Sequence, residues 1–489
     1  VANGRAVRRL PGFRDSGGLE QAARETAVQA CRRRFDLRGY ERLETPYLEE
    51  TELFLRKSGG ELASRLCSFT DPAGYPVSLR PEFTAPVLRH AIEGRSLQGL
   101  PLRIQYAGPV FRYAARDDRE RSDNDSRQFT QGGAELIGGA GPRADGEILA
   151  MAWEGLRVLG VPAPLLVLGH VGLLWDLIRP FGLSERGRLF LVSRVDELRG
   201  GPDAVVAARA QARDLGLLPG GPDTASRPAD SGEPESLELV ESVLGRTVRE
   251  PVGRSPGARS PEEIIARLAR KIISVEETAM FDDALELLGE LATVRGELDD
   301  AIEKGRAVAR RRNSDDAPFD QIARTAGAAQ DEGVPKDALR IDFGLARGIA
   351  YYTGMVFDLT GGASGAPDPK EGGGASLGGG GRYDGLPRAL GAESDIPALG
   401  FAYDLDAVLD AAAREAEPPA GRRVVVAPDD GAATAAAARH AAQLRDEGVT
   451  VLLEVEERSS EEMKAYGKTR GASEAAFVSA DGAVRMEAI

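Results

Sequence analysis

Leu345-Ala346-Arg347-Gly348-Ile349-Ala350-Tyr351-Tyr352-Thr353-Gly354-Met355-Val356-Phe357-Asp358 opens with a short loop signature, LARG, and runs on as YYTGMVFDL. The second part is rich in aromatic and β-branched residues and predicts a strand. In a strand Tyr351 and Tyr352 point to opposite faces, so at most one packs in the core while the other lines a cleft. Arg347, on the loop before them, carries a planar fork that suits a carboxylate or a phosphate. A half-buried strand with an exposed arginine accounts for the same residues.

A second run, Gly379-Gly380-Gly381-Arg382-Tyr383-Asp384-Gly385-Leu386, follows it. In this order the pair resembles the two histidine-recognition motifs of the histidyl-tRNA synthetase family. It resembles equally those of the non-synthetase branch, the regulatory subunit of ATP phosphoribosyltransferase. The resemblance implies an α+β fold: a class II aminoacyl-tRNA synthetase-like antiparallel sheet with helices, a helical insertion and a small C-terminal α/β domain.

Size and charge fit such a chain. At 489 residues it exceeds one compact core, so two or three domains are expected. The hydrophobic share of 42% is ordinary for a globular protein. There is no apolar run long enough to span a bilayer and no signal-peptide core near the start. Two cysteines, Cys31 and Cys67, make neither a disulfide framework nor a CxxC metal signature, and point to a reducing cytoplasm. The three histidines, His90, His170 and His440, are far apart and predict packing or surface roles rather than a zinc site. A net charge of −15 argues against a broad nucleic-acid surface.

Before these motifs, a helix is expected from about Leu19 to Leu37, ended by Gly39. A strand closing at Pro46 and a short helix follow. This layout resembles class II motif 1, which builds the dimer interface in that family, so a homodimer is implied. LCSFTDPAGYPVSL predicts a hairpin turning at Asp71-Pro72-Ala73-Gly74. Leu79-Arg80-Pro81-Glu82-Phe83-Thr84-Ala85-Pro86 then leads into a helix through Glu93. Glu82 offers a charged acceptor for an ammonium and Thr84 a neutral one. Thr84 with Pro86 also suits a helix start.

LRIQYAGPVFRY, a polar loop over 114–126 expected to be exposed and mobile, and RQFTQGGAELIG form a strand, loop and antiparallel strand, the layout of motif 2. Alternation puts Gln131, Gly133 and Glu135 on one face of the second strand. A solvated strand face competes with a binding role there. A helix over about 143–160 and a strand near 165–168 come next. The block 185–335 predicts mostly helix, with breaks at 219–235 and 251–261. Gly361–Gly381 is expected to be a flexible crossing between strands. Ile396–Val408 predicts a strand running into a helix, the position of motif 3. Beyond the linker at 415–421, alternating strands and helices predict a small parallel sheet. The expected domains are therefore a core of 1–184 and 336–414, an insertion of 185–335, and a C-terminal anticodon-binding-like domain of 420–489.

By resemblance, Glu82, Thr84, Gln131, Glu135, Arg347, Tyr351 and Tyr352 hold histidine, with Glu82 and Glu135 against its ammonium and Gln131, Tyr351 and Tyr352 around its imidazole. Arg112 joins Arg347 at the carboxylate, and Ala350 stands where synthetases usually carry Asp. The family's ATP side departs further. Its motif 2 glutamate is Ala114 here, its motif 3 arginine is Ala407, and the neighbouring glycine and glutamate are Asp404 and Asp406. Like charges near a triphosphate would cost on the order of 1–4 kcal/mol per close pair. A kept amino-acid pocket with a dismantled ATP site implies the regulatory branch: no catalysis, no cofactor, no metal, and no membrane or nucleic-acid partner. Its implied partner is the short-form catalytic subunit of ATP phosphoribosyltransferase, with histidine as effector and the homodimer set within a hetero-oligomer. A divergent histidine–tRNA ligase, or a synthetase-like RNA-binding regulator, is the alternative.

Overall fold

A computed structural model describes residues 7–56, 65–94, 96–112, 127–218, 278–345, 351–361, 376–412, 421–456 and 458–489. The chain divides into two compact units, Val1–Arg14 with Ala27–Arg414, and Asp15–Thr26 with Glu415–Ile489.

The strands of the first unit are β1 (Glu41–Arg42), β2 (Leu48–Glu50), β3 (Cys67–Thr70), β4 (Pro76–Leu79), β5 (Leu102–Phe111) and β6 (Gln128–Ile137). They continue as β7 (Leu165–His170), β8 (Arg295–Glu297), β9 (Leu339–Asp342), β10 (Met355–Thr360), β11 (Gly378–Arg382) and β12 (Ala398–Asp404). Among the described residues, nine of them form one sheet in the order β1-β5-β6-β12-β11-β10-β7-β9-β8. Within this sheet, among the described residues, β1–β5 and β7–β9 pair in parallel and the other neighbours antiparallel. The fold is α+β, of the class II synthetase kind.

The two faces of this sheet differ because residues alternate along each strand. One face carries Ala134, Leu136, Leu399, Phe401 and Tyr403, all buried, and the Gly141–Leu159 helix covers it. Tyr403 donates its hydroxyl to the Ala152 carbonyl of that helix at 2.8 Å. On the other face Gln131, Gly133 and Glu135 of β6 stand opposite Asp404, Ala402 and Gly400 of β12. Gly379 and Gly381 of β11 extend that row. Small residues there leave open volume above the middle of the sheet.

Several local expectations meet a different geometry. The strand thought to close at Pro46 is two residues long, because the carbonyls of Thr45 and Pro46 turn inward to the buried Arg80 guanidinium. The chain resumes past Pro46 as β2, in a second sheet ordered β2-β4-β3. The hairpin turns as expected at Asp71, whose side chain accepts from the N–H groups of Ala73 and Tyr75. The crossing at 361–381 holds a strand at its end: Gly378–Arg382 lies between β10 and β12, where a Cβ on Gly380 would sit 2.0 Å from the Gly400 carbonyl oxygen. Residues 362–375 of that crossing lie outside the described residues.

The block 185–335 is mainly helical where described, including Glu185–Ser193, Pro202–Asp214, Leu298–Arg311 and Phe319–Asp331. It also adds β8 to the sheet edge, and its Phe190, Leu285 and Phe319 belong to the same apolar core as Leu168 and Phe357. Both expected breaks, at 219–235 and 251–261, lie outside the described residues, as does the loop 114–126.

The second unit contains β13 (Arg423–Pro428), β14 (Thr450–Leu453), β15 (Glu474–Val478) and β16 (Val484–Ala488), in the order β14-β13-β15-β16. The first three are parallel, as alternation with helices requires. The last is an antiparallel addition, turned at Ser479–Ala483, that the sequence reading did not include. No helix among the described residues is long and apolar enough to cross a membrane.

Candidate functional site

A cavity of about 370 Å³ opens on the small-residue face of the large sheet. Glu82, Thr84, Arg112, Gln131, Tyr351 and Tyr352 all line it. They come from the turn before the Thr84–Glu93 helix, the end of β5, the start of β6 and the segment before β10. Arg347, also expected here, lies outside the described residues, as do Ala350 and Ala114.

Both tyrosines reach the cavity because the expected strand begins late. Tyr351 to Gly354 form a turn, Thr353 N–H donates to the Arg382 carbonyl at 2.8 Å, and β10 starts only at Met355. Strand alternation therefore does not separate the two rings, whose centroids are 5.0 Å apart. Tyr383 closes a third side, 5.8 Å from Tyr351 and edge-on to it.

Glu82 caps the Thr84–Glu93 helix, with both oxygens 3.2 Å from Ala85 N–H. Burial raises its carboxyl above the ordinary range, while the N–H groups of Ala85 and Thr84, the Arg112 charge and the Thr84 hydroxyl pull it back. Thr84 does not cap the helix: its hydroxyl donates to Glu135 Oε1 at 2.7 Å. Gln131 accepts from Phe83 N–H at 3.2 Å. Arg112 donates Nε to the Pro81 carbonyl at 2.9 Å and lies 5.1 Å above the Phe129 ring. At the far end Asp404 lines the cavity and caps the Leu405–Ala411 helix by accepting from Asp406 and Ala407 N–H. Burial raises Asp404, and the Asp406 charge adds to the rise.

Glu135 is 1% exposed and lies beneath the cavity wall rather than on it. Its carboxylate accepts the hydroxyls of Thr84, Tyr106 and Tyr383. Burial pushes its carboxyl up to about 7, although the three hydroxyls favour the charged form. In the unfolded chain the group titrates as an ordinary glutamate, near 4.5. Its folded value is raised, so its protonation favours the fold fully below the unfolded value, and that contribution is lost as pH climbs through about 7. Over that window wild type is expected to gain about 2–3 kcal/mol relative to Glu135→Gln as pH falls. Urea denaturation of both proteins at several pH values checks this, and a pH-independent difference refutes it.

Sequence reasoning did not assign Tyr106, Tyr383 or Phe129. Tyr383 stood in plain view within GGGRYDGL. Tyr106 becomes visible only through register, which sets it opposite Gly133. His170 is a buried helix cap, its Nδ1 accepting from Leu173 N–H, and burial lowers it to about 4. Among the described residues no group of three or more His, Cys, Asp or Glu side chains is placed to hold a metal ion. The cleft brings together a carboxylate, hydroxyl oxygens, aromatic rings and a guanidinium, groups able to hydrogen-bond and pack against a small polar molecule.

A family model described as histidyl-tRNA synthetase matches residues 12–210 and 253–408. An ATP phosphoribosyltransferase regulatory subunit from Rhizobium etli is 32% identical over 391 residues, 76% of this chain and 94% of that one. A histidine–tRNA ligase from Archaeoglobus fulgidus is 27% identical over 477 residues, 97% of this chain and 92% of that one. Among solved structures, one from Bacillus halodurans titled an ATP phosphoribosyltransferase regulatory subunit/histidyl-tRNA synthetase has a TM-score of 0.65 at 20% identity, covering 98% of this chain and all of that one. The fold, the cleft and the extent of these matches lead to one conclusion: the chain belongs to the histidyl-tRNA synthetase family.

Proposed function

We propose that this chain is a non-catalytic regulatory subunit of ATP phosphoribosyltransferase that binds histidine in the cleft described above. It assembles, as a homodimer, with the short-form catalytic subunit, activates it, and conveys inhibition by histidine. Residues 1–184 and 336–414 serve as the synthetase-like core, 185–335 as its insertion and 420–489 as an anticodon-binding-like domain. Glu82 and Thr84 receive the ammonium, Gln131, Tyr351 and Tyr352 surround the imidazole, and Arg112 with Arg347 meets the carboxylate. The observation that carries this reading is acid where a triphosphate requires a base. β12 ends on the cavity with Asp404, and the first helical turn after it offers Asp406 and Ala407 rather than a cation.

The test pairs two measurements on the purified protein. Calorimetric titration should show histidine binding, weakened about 10- to 100-fold in Glu82→Gln by loss of a charged acceptor. Histidine-dependent ATP–pyrophosphate exchange should stay at background. Exchange at ordinary enzymatic rates would sink the proposal. It would favour the second reading, a divergent histidine–tRNA ligase, which is supported by the match to the Archaeoglobus fulgidus ligase across 97% of this chain, the second unit included. A gel shift with RNA at physiological salt tests the remaining alternative, an RNA-binding regulator.

A further inference from the structure

One residue grips the backbone on both sides of Tyr383. The Arg382 carbonyl before it accepts the Thr353 N–H at 2.8 Å, and the Thr353 hydroxyl donates to the same oxygen at 3.4 Å. The Asp384 N–H after it donates to that hydroxyl at 3.0 Å. Thr353 itself directly follows Tyr352. Two cavity tyrosines that are far apart in sequence are thereby joined, with ring centroids 6.5 Å apart. We propose that Thr353 is a positioning residue for the aromatic wall of the cleft, stapling the turn of Tyr351 and Tyr352 to the turn of Tyr383.

A staple positions only when one side of it is fixed, and Arg382 fixes that side. It is 7% exposed and donates Nε and Nη2 to Asp145 Oδ1 at 3.0 and 2.6 Å. Its Nη1 donates to the Gly139 carbonyl at 2.9 Å and to Asp384 Oδ1 at 3.1 Å. Asp145 lies in the Gly141–Leu159 helix and also accepts the Thr325 hydroxyl of the Phe319–Asp331 helix at 3.3 Å. Ala398 of β12 closes the turn: its carbonyl accepts Tyr383 N–H at 2.7 Å, and its own N–H donates to Asp384 Oδ1 at 3.0 Å. The Tyr383 turn is thus bound into both the sheet and the helix that covers it. What Thr353 must meet there is a carbonyl on one side of Tyr383 and an N–H on the other. A hydroxyl donates and accepts at once, so it serves both. The side chain is exposed and fills no core volume, so its contribution is these bonds.

This rests on the reading that Tyr351 and Tyr352 surround an imidazole, and the experiment separates the two. The probe is L-histidine, titrated calorimetrically. Thr353→Val keeps the shape of the side chain and loses both of its hydrogen bonds. It should weaken histidine about 3- to 10-fold, the worth of such bonds, while its denaturation midpoint stays close to wild type. Thr353→Ser keeps the hydroxyl and should bind within about twofold of wild type. Thr353→Val is also made beside Tyr352→Ala, where it should have little effect, because the ring it positions is gone. Wild-type affinity in Thr353→Val, a serine variant as weak as the valine one, or equal penalties in the two backgrounds each overturn the inference while leaving histidine binding intact. A Tyr352→Ala protein that binds histidine as wild type does overturns the imidazole reading of the wall, and the inference with it. Wild type that binds no histidine overturns the histidine reading itself.

Discussion

Gly400→Ala is expected to destabilise the first unit by about 4 kcal/mol or more, among the larger effects one methyl group produces. Gly400 stands in β12 directly opposite Glu135 of β6. A Cβ there would lie 1.7 Å from Glu135 Oε2 and 2.6 Å from the Ala134 carbonyl oxygen. Neither neighbour can yield cheaply. The carboxylate is held by three hydroxyls in a buried site, and the carbonyl belongs to a central strand paired on both sides. Truncating Glu135 as well would leave the backbone collision in place, so the double variant should recover only part of the loss. Gly327 supplies the contrast. It lies within the Phe319–Asp331 helix, and a Cβ there meets nothing within 4 Å. Gly327→Ala should therefore stabilise by about 0.5–1 kcal/mol, through helix propensity alone. Denaturant midpoints of the two variants check both signs. A Gly400→Ala protein as stable as wild type would mean that β12 and β6 are not paired in this register.

What could be read without the structure was local. The helix expected from Leu19 to Leu37 runs Gly18–Leu37, the turn at Asp71–Gly74 forms, and the helix from Thr84 stops at Glu93. Each depends on neighbours in sequence: periodicity, an Asx turn, a cap. The strand and helix at the motif 3 position were equally legible, because β-rich residues end at an aspartate able to cap. The contents of the cleft were legible only in part. Glu82, Thr84 and Gln131, singled out by short-range patterns and the resemblance, all line the cavity. That Glu135 sinks beneath the wall depends on Tyr106 and Tyr383, which are far from it in sequence and meet it through strand register. The convergence of Tyr351 and Tyr352 was hidden for a related reason. Strand propensity extends back through both tyrosines, yet the tertiary bond from Thr353 to Arg382 ends the strand first.

Arg80→Ala is expected to cost on the order of 4–5 kcal/mol and to weaken ligand binding, although Arg80 is not on the cavity wall. Arg80 is 1% exposed, and its guanidinium lies 4.4 Å from the Tyr47 ring centroid and 3.9 Å from that of Phe83. It donates to the Pro109 carbonyl at 2.9 Å and the Thr45 carbonyl at 2.6 Å. One side chain thus joins the chain entering β2 to the end of β5. Burial lowers its pKa to about 10, which still leaves it charged at neutral pH. Removing it opens a cavity and strands those carbonyls in a dry interior, two costs that add. The effect on binding travels through Phe83, which stacks on Tyr106 at 4.4 Å and donates its N–H to Gln131. Arg80→Met separates the contributions. It keeps most of the volume and loses the donors, so its destabilisation should fall short of the alanine variant by the cavity share, while the loss of binding should be similar. Arg80→Lys keeps the charge but neither the fork nor the stacking, and should not restore wild-type stability. If the methionine variant matched wild type in both denaturation midpoint and histidine affinity, the carbonyl contacts would carry no weight and Arg80 would be there for its bulk alone.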